Sequence, residues 1–265
     1  MLFLAYSFLL LAFLLFMMNV TDRFLKYVGY GTQSDPNTGL NPSTPGQMEF
    51  AHVLKEEMEA IGIQEVELDE YGYVMGVIPS TVERETPAIG FIAHMDTAPD
   101  FSGKDVRPQI IPDYDGGDVL LKGSQDVLKV SDFPSLASLK GRTLITTDGT
   151  TLLGADDKAG VAEIMTAVEE LIAEGTPHGD VWIGFTPDEE VGAGANLFDL
   201  SIFQADYAYT VDGDYEGEVA YENFNAASRV RIDLFNLVDI VNGGTEVKRV
   251  VDSRVLLGNL LFFPK

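Results

Sequence analysis

Four short segments combine residue types that bind divalent cations and move protons: His94-Met95-Asp96, Ala155-Asp156-Asp157-Lys158, Pro187-Asp188-Glu189-Glu190 and Val211-Asp212-Gly213. Each follows an apolar run, so each falls where a buried strand gives way to a loop. One imidazole with several carboxylates is what a two-metal hydrolytic site needs. That donor set fits zinc, cobalt or manganese better than copper, and calcium has no need of the histidine. His94 and Asp96 lie two apart, which in a strand turns both side chains to one face, leaving the imidazole to ligate and the carboxylate to orient it. Alone, such a pair is more often structural. Asp156 precedes a helix pattern, where a carboxylate ordinarily caps; from a loop, its two oxygens could also bridge two cations. Asp157 reads as structural. Glu189 and Glu190 repel one another unless a cation or proton sits between them, so one can ligate while its neighbour serves as general base. A solvated acidic turn is the plainer reading of that segment in isolation. Asp212 closes another strand, while Asp214, Glu216 and Glu218 read as surface acids.

The elements that must position these groups are legible in the hydropathy pattern. Val20, Phe24, Leu25 and Val28 recur at helical spacing and predict a short amphipathic helix over residues 20–30. A Gly/Pro/Asn/Ser-rich stretch over 31–46 predicts a loop. A helix is expected over 47–61, with Phe50, Leu54, Met58 and Ile61 on one stripe, Gly62 as its stop and His52 facing solvent. Strands are expected over 65–68, 73–78 and 88–93, the last buried on both faces because its apolar character is unbroken. Residues 97–147 predict loops with short hairpins. Val161, Ile164, Met165, Val168, Leu171 and Ile172 predict a helix over 158–173. Two further buried strands follow over 181–185 and 207–211, separated by a short helix near 195–203. The alternation predicts an α/β fold: a mixed, largely parallel sheet flanked by helices.

Composition narrows the function. Hydrophobic residues make up 46% of the 265 positions, enough for a packed core. With 42 acidic against 17 basic residues the formal charge is −25, which repels nucleic acid and anionic membrane surfaces and draws cations to acidic clefts. There is no cysteine, so disulfides and thiolate metal sites are excluded. Histidine occurs only at 52, 94 and 178. Residues 1–18 are almost wholly apolar, at the lower edge of a membrane-spanning length. They lack a basic leader and a small-residue cleavage site, which argues against a secretory signal. Two readings remain, a membrane anchor or an upstream extension of the reading frame with Met17 or Met18 as initiator. The second is favoured, and with it a cytoplasmic protein.

The segments resemble those of the co-catalytic zinc exopeptidases, a family of aminopeptidases, carboxypeptidases and aminoacylases. The resemblance is carried by Gly90-Phe91-Ile92-Ala93-His94-Met95-Asp96-Thr97, Thr146-Thr147-Asp148-Gly149, Leu153-Gly154-Ala155-Asp156-Asp157-Lys158-Ala159-Gly160, Phe185-Thr186-Pro187-Asp188-Glu189-Glu190-Val191-Gly192 and Tyr209-Thr210-Val211-Asp212-Gly213. Glu222-Asn223-Phe224-Asn225-Ala226-Ala227 points to the tripeptide-aminopeptidase branch rather than to the related carboxypeptidases or acyl-amino-acid deacylases. The resemblance implies two Zn2+ ions, with His94 and Asp212 on one, Glu190 on the other and Asp156 bridging. It further implies Glu189 as general base, Asp96 orienting His94, and a small peptide as substrate. In that family the second zinc takes a late histidine, and a lid domain helps bind substrate. Here no histidine follows His178, and residues 229–265 do not continue the pattern. The expectation is therefore an apolar segment (1–18), the N-terminal portion of a catalytic domain (19–228) and a divergent segment (229–265), with no lid and impaired activity. A non-catalytic metal-binding remnant is the competing expectation.

Overall fold

The computed structural model describes residues 17–213 and the backbone of a strand at Leu261–Phe263. Helix α1 (Val20–Tyr27) opens it, capped by the Asn19 side chain, which accepts from Asp22 N–H. Helix α2 (Pro45–Ile61) begins on a proline, whose missing N–H costs nothing there, and ends on Gly62 in the left-handed conformation. Strands β1 (Gln64–Leu68), β2 (Val74–Ile78) and β3 (Ile89–His94) follow. Short strands β4 (Gln109–Ile111), β5 (Val119–Leu120), β6 (Val127–Leu128) and β7 (Thr143–Thr146) come next, with a 3-10 turn at Pro134–Leu139. Helix α3 (Ala155–Glu174) leads to β8 (Val181–Thr186), a 3-10 turn at Glu189–Val191 and β9 (Tyr207–Thr210). Leu261–Phe263 is β10 and pairs antiparallel with β7.

The main sheet has the order β1-β2-β8-β3-β9. It is mixed, with parallel pairing confined to β8-β3-β9 and antiparallel pairing at β1-β2-β8. Parallel strands deliver their C-terminal ends to one edge, so the residues after β3, β8 and β9 emerge together. Phe24, Phe50, Leu54, Val161, Ile164 and Met165 from the three helices pack against Ile183 and Phe185 on one face. Tyr73, Met75 and Trp182 meet Phe203, with Phe198 beside them, on the other.

Arg23 ties the helical layer together. Only 1% exposed, its guanidinium donates to Glu57 of α2 at 2.8 Å, and to Thr166 (2.8 Å) and Glu169 (2.6 Å) of α3. Lys26 adds a second bond to Glu57 at 2.6 Å. The two cations outweigh burial and hold the Glu57 carboxyl below its ordinary range.

Three expectations need correction. The strands buried throughout are β2 and β8, whereas Ile89, Phe91 and Ile92 of β3 are only half-buried. Strand β9, expected to be buried, is exposed at all four positions. Both follow from position: among the described residues β9 is the last strand of the sheet, with β3 beside it. Residues 195–203 form turns rather than a helix; the helical turn near them is at Glu189–Val191. His52 is exposed, as expected. No helix among the described residues is long and apolar enough to cross a membrane. Residues 1–16, most of 229–265 and the Glu222-to-Ala227 match lie outside the described residues.

Arg23→Ala removes the buried cation shared by the part-buried Glu57 and Glu169 carboxylates, leaving Glu57 only Lys26. Unfolding in urea should show a loss of about 3 kcal/mol; a loss below about 1 kcal/mol, typical of a surface pair, would contradict the clamp.

Candidate metal centre

His94 is the last residue of β3 and is 3% exposed. Its Nε2 lies 2.8 Å from Asp156 Oδ1, and 3.9 Å from both Asp212 Oδ2 and Glu189 Oε2. Its Nδ1 sits 3.1 Å from the Asp96 carbonyl oxygen and 3.3 Å from Asp96 Oδ1. Acceptors therefore face both ring nitrogens. A ring held so by Nδ1–H presents Nε2 outward, the arrangement of a metal-ligating histidine.

The other donors arrive by distinct local devices. Asp156 and Asp157 lie within the first turn of α3, but their backbone angles are non-helical and the peptide between them is cis. Regular helix starts at Lys158, which leaves Asp156 half-exposed at the rim. Asp157 turns inward, accepting from the backbone N–H of His94 (3.3 Å) and of Gly160 (3.0 Å). Gly160 lets α3 approach β9: a Cβ there would stand 1.9 Å from the Val211 carbonyl oxygen. That approach brings Asp156 beside Asp212, whose strand is locked to β3 by Val211 N–H donating to Ile92 at 2.8 Å. One donor atom from each of His94, Asp156 and Asp212 lies within 4.8 Å of the others, a spacing a single cation can fill.

Glu189 and Glu190 come from the 3-10 turn after β8. Their backbone N–H groups both donate to the Asp96 carboxylate, at 3.0 and 3.1 Å. Asp96, fully buried, thus holds that turn as well as facing the imidazole. Neither Glu belongs to the three-donor group, although Glu189 reaches His94 Nε2 at 3.9 Å.

The electrostatics are those of a site short of positive charge. Burial opposes protonation of His94, but the Asp156 and Asp96 contacts and the Asp157 charge win and raise its pKa well above the ordinary imidazole value. Burial first, then the Asp156 charge, pushes Glu190 up to about 8. Burial, with Asp212, Asp96 and Asp156 adding to it, also raises Glu189. Protons are drawn to where a cation would relieve the same repulsion. The donor set therefore fits a divalent metal.

Sequence reasoning passed over Lys158, Ser43, Gln47 and the distinct part played by Asp188. Lys158 is 1% exposed beneath the site; its Nζ donates to the Tyr30 carbonyl at 2.6 Å and lies 5.7 Å from the Phe50 ring centroid. Burial lowers its pKa to about 7, against the Asp96 charge. Nothing in the pattern singled it out beyond its place at a helix start, where a lysine ordinarily faces water.

The site is a mixed α/β sheet with a carboxylate-lined edge at the C-terminal ends of its parallel strands. The model of peptidase family M20/M25/M40 matches residues 146–231. The chain is 56% identical over 213 residues to peptidase T of Vibrio parahaemolyticus, covering 80% of this chain and 52% of that protein. It is 50% identical over 248 residues to peptidase T of Halothermothrix orenii, covering 92% and 60% respectively. Among solved structures it resembles the aminopeptidase PepT of Bacillus cereus, with a TM-score of 0.54 and 26% identity over 74% of this chain and 43% of that one. A tripeptidase from Staphylococcus aureus shares the fold, with a TM-score of 0.53 at 24% identity. The chain spans about half the length of the curated relatives it matches.

Metal uptake should be coupled to proton release, because His94 and Glu190 carry protons that a cation must displace. Both pKa values are raised, Glu190 to about 8, so Co2+ affinity should strengthen as pH rises from about 6 to about 9. Calorimetric titration in buffers of different ionisation enthalpy would read the released protons. A pH-independent affinity would contradict the coupling.

Proposed function

We propose that this chain carries the metal-binding edge of a zinc-dependent aminopeptidase that releases the N-terminal residue of tripeptides. The observation that carries the reading is the convergence of His94, Asp156 and Asp212 donor atoms within 4.8 Å. The identity to peptidase T proteins supports the substrate class. In this reading His94, Asp212 and Asp156 would hold one Zn2+, and Asp156 and Glu190 would be available to a second. Zinc fits a mixed imidazole and carboxylate set. The chain's acidic charge and lack of cysteine accord with a cytoplasmic enzyme on small peptides rather than on nucleic acid.

The division of labour follows from the geometry. Bound cations supply Lewis acidity, polarising the scissile carbonyl and acidifying water. Glu189, half-exposed and beside His94 Nε2, takes the proton of the attacking water as its oxygen adds to the carbonyl carbon. It returns that proton to the leaving nitrogen as the C–N bond breaks, and the water's second proton passes to the product amine, giving a carboxylate and an ammonium group. Burial, with the neighbouring acids, raises the Glu189 pKa above the ordinary carboxylate value, which strengthens it as a base. Asp96 fixes His94 from one side and the Glu189 backbone from the other.

The test pairs metal content with turnover. The chain should retain Zn2+ or Co2+ through desalting, and Asp156→Ala should lower that content most, since its carboxylate touches both ions. Turnover, expected to be impaired in this chain, should fall on tripeptides with a free amino terminus rather than on N-acyl amino acids, and drop about a hundredfold or more in Glu189→Gln. Unchanged metal content in Asp156→Ala would remove the bridging role. Unchanged turnover in Glu189→Gln would remove the base.

A further inference from the structure

The mechanism leaves one buried carboxylate unused. Asp188 is 1% exposed, lies between β8 and the Glu189–Glu190 turn, and accepts three hydrogen bonds from Ser43, in the loop before α2, and Gln47, in the first turn of α2, neither of which the reaction otherwise involves. The Ser43 backbone N–H donates to Oδ2 at 2.7 Å, the Ser43 hydroxyl donates to Oδ1, and Gln47 Nε2 donates to Oδ1 at 2.7 Å. Gln47 also accepts, at Oε1, from the Asp188 backbone N–H at 3.0 Å. One amide thus grips both the side chain and the main chain of Asp188.

The backbone at Asp188 is left-handed, with φ of 57°. Few non-glycine residues adopt that conformation without support. Here it reverses the chain after β8, so that the next two N–H groups point at Asp96 while the Glu189 side chain reaches His94. The loop that holds Asp188 is itself tied to β3. Ser34 N–H donates to the Thr97 carbonyl (3.0 Å), Thr97 N–H donates to Thr32 (3.2 Å), and Thr44 hydroxyl donates to the Gln33 carbonyl (2.8 Å). A Cβ at Gly46 would stand 1.9 Å from the Gly31 carbonyl oxygen, so the loop closes on itself without room for a side chain there. Residues 32–47 therefore yoke the end of β3 to the end of β8, and Asp96 closes the ring from the other side.

We infer that Asp188, held by Ser43 and Gln47, is a positioning residue for Glu189 and Glu190. The inference rests on the proposed reading of those two glutamates. If the grip is released, the left-handed turn relaxes and both carboxylates lose their aim.

Two measurements on the full chain test this, using Gln47→Ala and Ser43→Ala so that the buried carboxylate itself is kept. In the first, amide exchange at Glu189 and Glu190 should quicken about tenfold, the factor expected for one lost charge-assisted hydrogen bond, while β2 and β8 amides keep their protection. Retained protection at those two amides, or uniform loss everywhere, would overturn the positioning role. In the second, Co2+ titration should show Gln47→Ala weakening affinity about tenfold in the wild-type background, and adding nothing in a Glu189→Gln/Glu190→Gln background. Additive losses would assign Gln47 a merely structural role. If the wild-type chain takes up no Co2+, the metallopeptidase reading falls, and the exchange experiment still decides whether the yoke exists.

Discussion

The constraint on which this structure turns is negative charge gathered around one imidazole. His94 faces carboxylates at both ring nitrogens, and Asp156, Asp212 and Glu189 all lie within 3.9 Å of its Nε2. Such a cluster is unstable unless positive charge enters it. In the cation-free state protons serve, as the raised pKa values of His94, Glu189 and Glu190 record. A divalent ion serves the same need and adds Lewis acidity, so the electrostatic demand and the proposed chemistry share one cause.

Holding that cluster together is a task for the whole sheet edge. Parallel pairing of β8, β3 and β9 aligns three strand ends, and the close approach of α3 at Gly160 adds Asp156. The carboxylates then divide into those that face the imidazole and those that fix backbone. Asp157 fixes the end of β3 and the start of α3. Asp96 and Asp188 grip the Glu189–Glu190 turn from opposite sides. A run of acidic residues that looks uniform in sequence is split by direction and burial into reacting and supporting groups.

Much of this was legible before any coordinates. Buried periodicity placed α2 and α3 within two or three residues of their observed ends, and the apolar runs placed β2, β3 and β8. The four chemical segments could be found because each interrupts an apolar strand with acids or histidine. What was not legible depended on neighbours. Exposure of β9 and half-exposure of β3 follow from sheet order, which local hydropathy does not encode. Near 195–203, where a helix was expected, Phe198 and Phe203 serve the aromatic cluster over Tyr73 and Trp182. Ser43 and Gln47 looked like ordinary loop and helix-start residues, because their partner lies 145 and 141 positions away. Glu189 and Glu190 were recognised by type, but the left-handed turn that aims them is invisible without the backbone.

The chain spans about half the length of its peptidase T relatives. The part present nonetheless contains the tightest donor group among the described residues, so the central claim can be tested on it directly. X-ray absorption spectroscopy of the zinc-loaded chain reads the ligands themselves. The account predicts one imidazole nitrogen with carboxylate oxygens at about 2.0–2.2 Å, and loss of the imidazole signal in His94→Ala. A shell of oxygen alone, or an imidazole signal that survives in His94→Ala, would contradict it.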